Sequence, residues 1–181
     1  MIKVLQMFVI MGTVIAGCVA APNDKNKLNI IPIVDYYPLG GYSERLGELF
    51  LVLNGSIDEV KQNLYEIAVN KATPPSVFST NDSINLVVFR GVFSTGGYGI
   101  EIEKVERDRN EFVVHAVFKD AGEGMMVTQA FTQPTAIIPI GRLKAGGYKA
   151  VLKVTKIIKE EKKEQIVEED KEHSSVSFSV K

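Results

Sequence analysis

Apolar and polar residues alternate with a period of two along most of the chain from Asn29 onward, the pattern of half-buried strands. A short β-branched run spans 30–34, and a second apolar run, 49–53, ends at Asn54-Gly55. The period then changes. Val60, Leu64, Ile67 and Ala68 recur at helical spacing behind Ser56, with Glu59 three positions further on. That spacing is a capping box, in which the hydroxyl meets an orphan amide and the carboxylate reaches back, so a helix is predicted over 57–71. Pro74-Pro75 keeps it from continuing far.

Strands are predicted next over 84–93, 98–107, 111–118, 125–131 and 135–140, with turn chemistry at 108–110 and 120–124. Phe112, Val114, Ala116 and Phe118 interleave with Val113, His115 and Val117, so this strand is expected to be covered on both faces. Gly146-Gly147-Tyr148 opens a further strand reaching about position 158, with Tyr148, Ala150, Leu152 and Val154 on one face. Val176, Phe178 and Val180 alternate with serines at the end. The mixed-sign stretch 159–173 reads as a solvated hairpin tip or a frayed helix, with a partner-binding arm as the lesser reading. Successive strands with turn punctuation give a mainly β protein, an immunoglobulin-like β-sandwich with one packed α-helix. No internal repeat or second domain is visible, and 29–181 is expected to fold as one unit.

The first residues follow other rules. Lys3 precedes an apolar run from Val4 to Ile15 that is too short for a membrane-spanning helix and fits a secretory signal. It ends in Ile15-Ala16-Gly17-Cys18, which resembles the cleavage box of bacterial lipoproteins. That resemblance implies a signal peptide over 1–17 and diacylglycerol on the Cys18 thiol. An ordinary cleaved signal or a short buried helix is the plainer alternative. Lipidation is favoured because the one Cys of the chain stands where the box requires it. Residues 18–28 then form a flexible tether, and the domain works on a membrane surface outside the cytoplasm.

Composition narrows the chemistry. Among 181 residues, 21 Lys and Arg balance 22 Asp and Glu. That gives no broad positive field, and no nucleic-acid partner is expected. One Cys and two His make a poor metal set, so no metal and no cofactor is expected. His115 lies within an apolar strand and reads as packed or half-exposed; His173 lies in the charged tail and reads as solvated. Glu101 and Glu103 would sit about 7 Å apart on one strand face. Their reading as a solvent face beside Lys104 and Arg107 outweighs glycosidase chemistry. No phosphate-cradling loop, zinc spacing or dinucleotide fingerprint occurs. No catalytic residue is assigned.

The most distinctive segment is 89–102, with Thr95-Gly96-Gly97-Tyr98 between apolar runs. Two glycines permit positive φ or close backbone approach, and Tyr98 can bury its ring while its hydroxyl finds a partner. One reading is a structural bend; the other is an exposed loop that docks a partner. Over 84–152 the ordered series resembles the PrcB C-terminal-domain family, named for an accessory lipoprotein of a secreted bacterial protease complex. The series comprises the strand with Gly91, Thr95-Gly96-Gly97-Tyr98, Ile100-Glu101-Ile102, the 113–118 strand, the 127–134 stretch and the apolar 136–140. It departs at 120–124, where such domains often carry a proline. The resemblance implies a non-catalytic accessory protein that stabilises or restrains a secreted or envelope protease, with Thr95, Gly96, Gly97 and Tyr98 as the partner-binding candidates. A general envelope structural or ligand-binding lipoprotein is the alternative.

Overall fold

The run Ile-Asn-Leu-Val-Val-Phe forms strand β4 (Ile84–Phe89), and every residue in it is buried. A strand is apolar on both faces only when both are covered, and the two layers that cover this one organise the domain. The computed structural model describes residues 31–33, 47–160 and 163–181. The expected signal peptide, Cys18 and the tether lie outside those residues. Antiparallel to β4 run β2 (Leu49–Asn54) on one side and β7 (Thr135–Gly141) on the other, with β1 (Ile31–Ile33) beyond β7. These make a four-stranded sheet in the order β1-β7-β4-β2.

Helix α1 (Ile57–Ala68) covers the outer face of this sheet. Its Val60 and Leu64 cluster with Leu51, Leu53, Val87, Phe89 and Ile137. The capping box forms as the spacing predicts: the Ser56 amide donates to Glu59 at 2.7 Å, and the Glu59 amide donates to the Ser56 hydroxyl at 3.4 Å. The bonds from Ser56 hold the Glu59 carboxyl below its usual range. The helix stops at Ala68, three residues short of the expected end, because Lys71 takes a left-handed φ of 58° and reverses the chain.

The inner face of the first sheet meets a five-stranded sheet in the order β3-β9-β8-β6-β5. Its members are β3 (Val77–Phe78), β5 (Gly99–Asp108), β6 (Glu111–Ala121), β8 (Gly146–Glu160) and β9 (Lys163–Val180). Leu86, Val88, Ala136 and Ile138 from one sheet interleave with Phe112, Val114, Ala116, Phe118, Ala150, Leu152 and Val154 from the other. The β-sandwich is thus observed, with the helix as a third layer. Tyr148, Phe78 and Phe178 pack around one end of it, and the Tyr148 hydroxyl donates back to the Lys144 carbonyl at 2.9 Å.

Two pairings are not visible in the alternation. β6 and β8 run parallel, because between them the chain crosses to the other sheet as β7 and returns. β3 also runs parallel to the end of β9. Glu103 is an extra residue between the Ile102–Ala116 and Lys104–His115 pairs, and this bulge resets which β5 residues face inward. The expected strand over 125–131 is absent: the stretch is a loop, held by a backbone bond from Gly96 to Thr128 and followed by an isolated bridge between Phe93 and Thr132. The strand expected to reach 93 ends at Phe89, since Gly91 turns away with a φ of 96°. The stretch 159–173 resolves in favour of the hairpin over the frayed helix, with Lys159 opposite Glu164.

Leu64, with Val60, ties α1 to the sheet. Leu64→Ala is expected to cost about 2–5 kcal/mol in chemical denaturation. A loss within about 0.5 kcal/mol would show that α1 does not share the core.

Candidate protein-docking surface

Where β4 ends, the chain places a cation in the apolar interior. Arg90 is only 4% exposed. One terminal guanidinium nitrogen donates to the carbonyls of Gly99 at 2.9 Å and Lys119 at 3.1 Å; the other terminal nitrogen donates to the Asp120 carboxylate at 2.7 Å, while Nε has no hydrogen-bond partner among the described residues. The guanidinium also lies 4.3 Å from the Phe118 ring centroid and 5.2 Å from that of Phe93. A charge can be buried when it is paired, hydrogen-bonded and laid on aromatic faces. Arg90 thereby ties the end of β4 to the start of β5 and the end of β6. The 120–124 stretch, read from the sequence as a turn, thus begins with one of its partners, Asp120.

The 95–98 turn sits beyond this tie. Phe93 and Tyr98 stack with centroids 4.0 Å apart at 11°. The Phe93 and Thr132 backbones exchange two bonds of 2.9 Å, the Gly96 amide donates to the Thr128 carbonyl at 2.8 Å, and the Thr132 hydroxyl donates to the Thr95 carbonyl at 2.8 Å. Two loops distant in sequence are thus sewn together. Gly97 is required by two constraints. Its φ is 87°, and a Cβ there would lie 2.7 Å from side-chain carbons of both Ala121 and Val127. Between the loops lies a groove of about 320 Å³, lined by Gly96, Gly97, Tyr98, Met125, Val127 and Pro134 among others.

Each predicted partner-binding residue has a place here, but not an equal one. Thr95 and Gly96 spend their backbone groups inside the domain, and Gly96 is buried. Gly97 is exposed, while Tyr98 is half-buried by its stack on Phe93. What sequence reasoning missed is the facing loop. Met126 is 100% exposed and Phe131 62% exposed, the two most exposed large apolar side chains among the described residues. The signal was present: no Lys, Arg, Asp or Glu occurs from Gly124 to Gly141. Arg90, one charge inside a long apolar run, was the other readable mark.

The remaining chemistry-bearing residues lie elsewhere. His115, 7% exposed, points outward from β6. Its Nε2 lies 2.9 Å from the Glu106 carboxylate and its Nδ1 2.7 Å from that of Asp170. Lys104 joins Glu106 at 2.9 Å and Lys153 joins Asp170 at 3.3 Å. The carboxylates take opposite ring nitrogens, so they do not converge on one point, and no three-ligand metal cluster occurs among the described residues. Glu101 and Glu103 are exposed as expected, and Glu101 pairs with Lys119. His173 is exposed as expected, and in addition its Nε2 meets Glu48 at 2.5 Å and its ring meets Phe118 edge-on. The neighbouring Ser174 hydroxyl is buried without a hydrogen-bond partner among the described residues. It therefore does not form a nucleophile–base pair with that ring.

Two outcomes test this geometry. Arg90→Ala leaves two carbonyls and Asp120 without their donor and is expected to cost about 3 kcal/mol, the lower end for a broken buried pair because Asp120 is partly exposed. Gly97→Ala should cost about 1–3 kcal/mol from strain; denaturant titration of each variant is the check, and wild-type midpoints would refute the assignment.

The outer-face network makes a pH prediction. The Glu106 carboxyl is held below its usual range by its bonds from Lys104 and then His115, and that of Asp170 by its bonds from His115 and then Lys153. Depressed carboxylates contribute stability that is full above their unfolded values, 4.5 and 3.8, and is lost as pH falls through the folded ones. His115→Gln should therefore lie further below wild type at about pH 6 than at about pH 3. A stability gap that is the same at both would show that His115 is not coupled to these carboxylates.

No curated protein and no solved structure gives a significant match to this chain. Residues 84–141 match the family model described as PrcB C-terminal, the stretch that runs from the start of β4 to the end of β7 and contains both loops of the groove.

Proposed function

We propose that this chain is an accessory protein, lipid-anchored through Cys18 outside the cytoplasm, that binds a secreted or envelope protease and stabilises or restrains it by protein–protein contact. The observation that carries this reading is the extent of the family match. It begins and ends with the strands that frame the docking surface, and every residue lining the groove falls inside it. The geometry is in keeping with a binding role. The groove is lined by glycine, apolar and uncharged polar side chains, so it offers a partner shape and apolar area rather than a reacting group. The apolar run ending at Cys18 supplies the support for the anchor.

Metabolic labelling with radioactive palmitate followed by affinity capture from native membranes tests both parts. Wild type should carry label that Cys18→Ser lacks, and should co-purify one protease, detected by hydrolysis of fluorescent casein and named by mass spectrometry. Absence of label in wild type would remove the anchor. Recovery of bulk envelope proteins with no casein hydrolysis would remove the protease.

A further inference from the structure

The groove has a floor and a protruding rim, and the two differ in what they leave available. On the floor, the Gly96 amide is already bonded to the 125–134 loop, as is the adjoining Thr95 carbonyl. The ring of Tyr98 is stacked on Phe93, which carries the Arg90 guanidinium near its face. On the rim, Met126 offers its whole side chain to water, and Phe131, next to the groove-lining Thr132, is 62% exposed. We propose that partner contact is made by Met126 and Phe131, inserted as two anchors into an uncharged apolar cleft of a partner protein, with Thr95, Gly96, Gly97 and Tyr98 as their support. This rests on the accessory-protein reading above and assigns the contact within it.

Three observations carry the assignment. The first is rigidity. Bonds from Phe93, Thr95 and Gly96 hold the loop at Thr128 and Thr132, and the Arg90 amide donates to the Pro134 carbonyl at 2.9 Å. Anchors presented on a fixed backbone lose little freedom on binding. The second is side-chain type. Aromatic residues and Met are enriched at the centres of interfaces, where a few large side chains in dry pockets dominate affinity. The third is charge. From Gly124 to Gly141 there is none, in a chain where 24% of residues are charged. A segment that inserts into a bilayer surface is flanked by Lys or Arg reaching the headgroups. Here Glu123 is the charge that adjoins the loop, Arg142 follows Gly141 opposite Ile84 at the far end of β7, and the nearby Lys119 is engaged by Glu101. An uncharged protein cleft fits this surface and an anionic membrane does not.

The test places the photo-crosslinking residue benzoylphenylalanine at Met126, Phe131 or Val167 of the full-length chain in native membranes, Val167 being an exposed apolar control on β9. Adducts to one protein should form at 126 and 131 and not at 167. The double variant Met126→Ser/Phe131→Ser should keep the wild-type melting temperature and lose at least tenfold of the co-purifying casein hydrolysis. If wild type captures the protease and the double variant captures it equally, the anchor assignment is overturned while the accessory role stands. If wild type captures no protease, the accessory role fails, and the adducts decide the anchors separately. One protein partner retains them, whereas lipid, a second copy of this chain, or no adduct at all overturns them.

Discussion

A guanidinium in an apolar interior is tolerable only while every strong partner stays in place, and this makes Arg90 the constraint on which the docking end of the domain depends. Its partners come from the first residue of β5 and the last turn's worth of β6, so the tie can close only when β4, β5 and β6 have met in their final positions. The rings of Phe118 and Phe93 complete the enclosure. Phe93 then carries Tyr98, and the Phe93 backbone carries Thr132. The order of support therefore runs from a buried charge, through one aromatic stack, to a loop whose exposed side chains have nothing else to hold them still. An apolar core residue at position 90 could fill the volume, but it would offer no directional bonds to fix where β5 begins.

The alternation of side chains made the layers legible, and for a local reason: which face a strand residue occupies is set by its neighbours in sequence. The inward set Tyr148, Ala150, Leu152 and Val154, the Ser56–Glu59 box and the coverage of β6 on both faces all follow from spacing alone. Pairing is another matter. That β8 lies parallel to β6 depends on a crossover through β7, and nothing within either strand encodes it. The 125–131 stretch shows the same limit. Met-Met-Val-Thr-Gln-Ala-Phe has the composition of a strand, yet β4 and β7 have already taken each other's edges at this point. What remains for the stretch is the bent 93–96 segment, which offers scattered bonds and not a ladder. The site was half legible for a related reason. Glycines announce a backbone requirement wherever they stand, so 95–98 drew attention, whereas exposure of Met126 and Phe131 depends on how two distant loops stack.

Charge is distributed in a way that separates the two ends of the second sheet. Its outer face carries a continuous network, Lys104 to Glu106 to His115 to Asp170 to Lys153, joining β5, β6, β9 and β8. Most of it is exposed, and exposed pairs add little stability singly. Its better-founded consequence is at the edges. β5 bounds this sheet on one side, and β9 is paired on its outer side by β3 only at Ser179 and Val180. Open edges invite pairing with other chains. Along β9, register shifts against β8 and the positive φ of Asp170 interrupt the regular ladder, and the acidic run 168–170 adds repulsion. β5 is interrupted by its own bulge and bordered by Glu101, Glu103, Lys104 and Glu106.

Under the docking role proposed above, this division is what lets the domain leave large apolar side chains in water. A flat apolar edge associates with any similar edge, because backbone bonding ignores sequence. Met126 and Phe131 stand instead on an irregular loop with no regular ladder to extend, so burying them demands a cleft of matching shape. Promiscuous association is blocked by charge and bulges where the backbone is open, and apolar area is offered only where geometry can choose the partner. The same argument bears on the glycines. A side chain at Gly97 would push Val127 and Ala121 outward and displace the rim. On the proposed docking role, the glycines that drew attention in the sequence contribute by being small enough to let the facing loop settle against them.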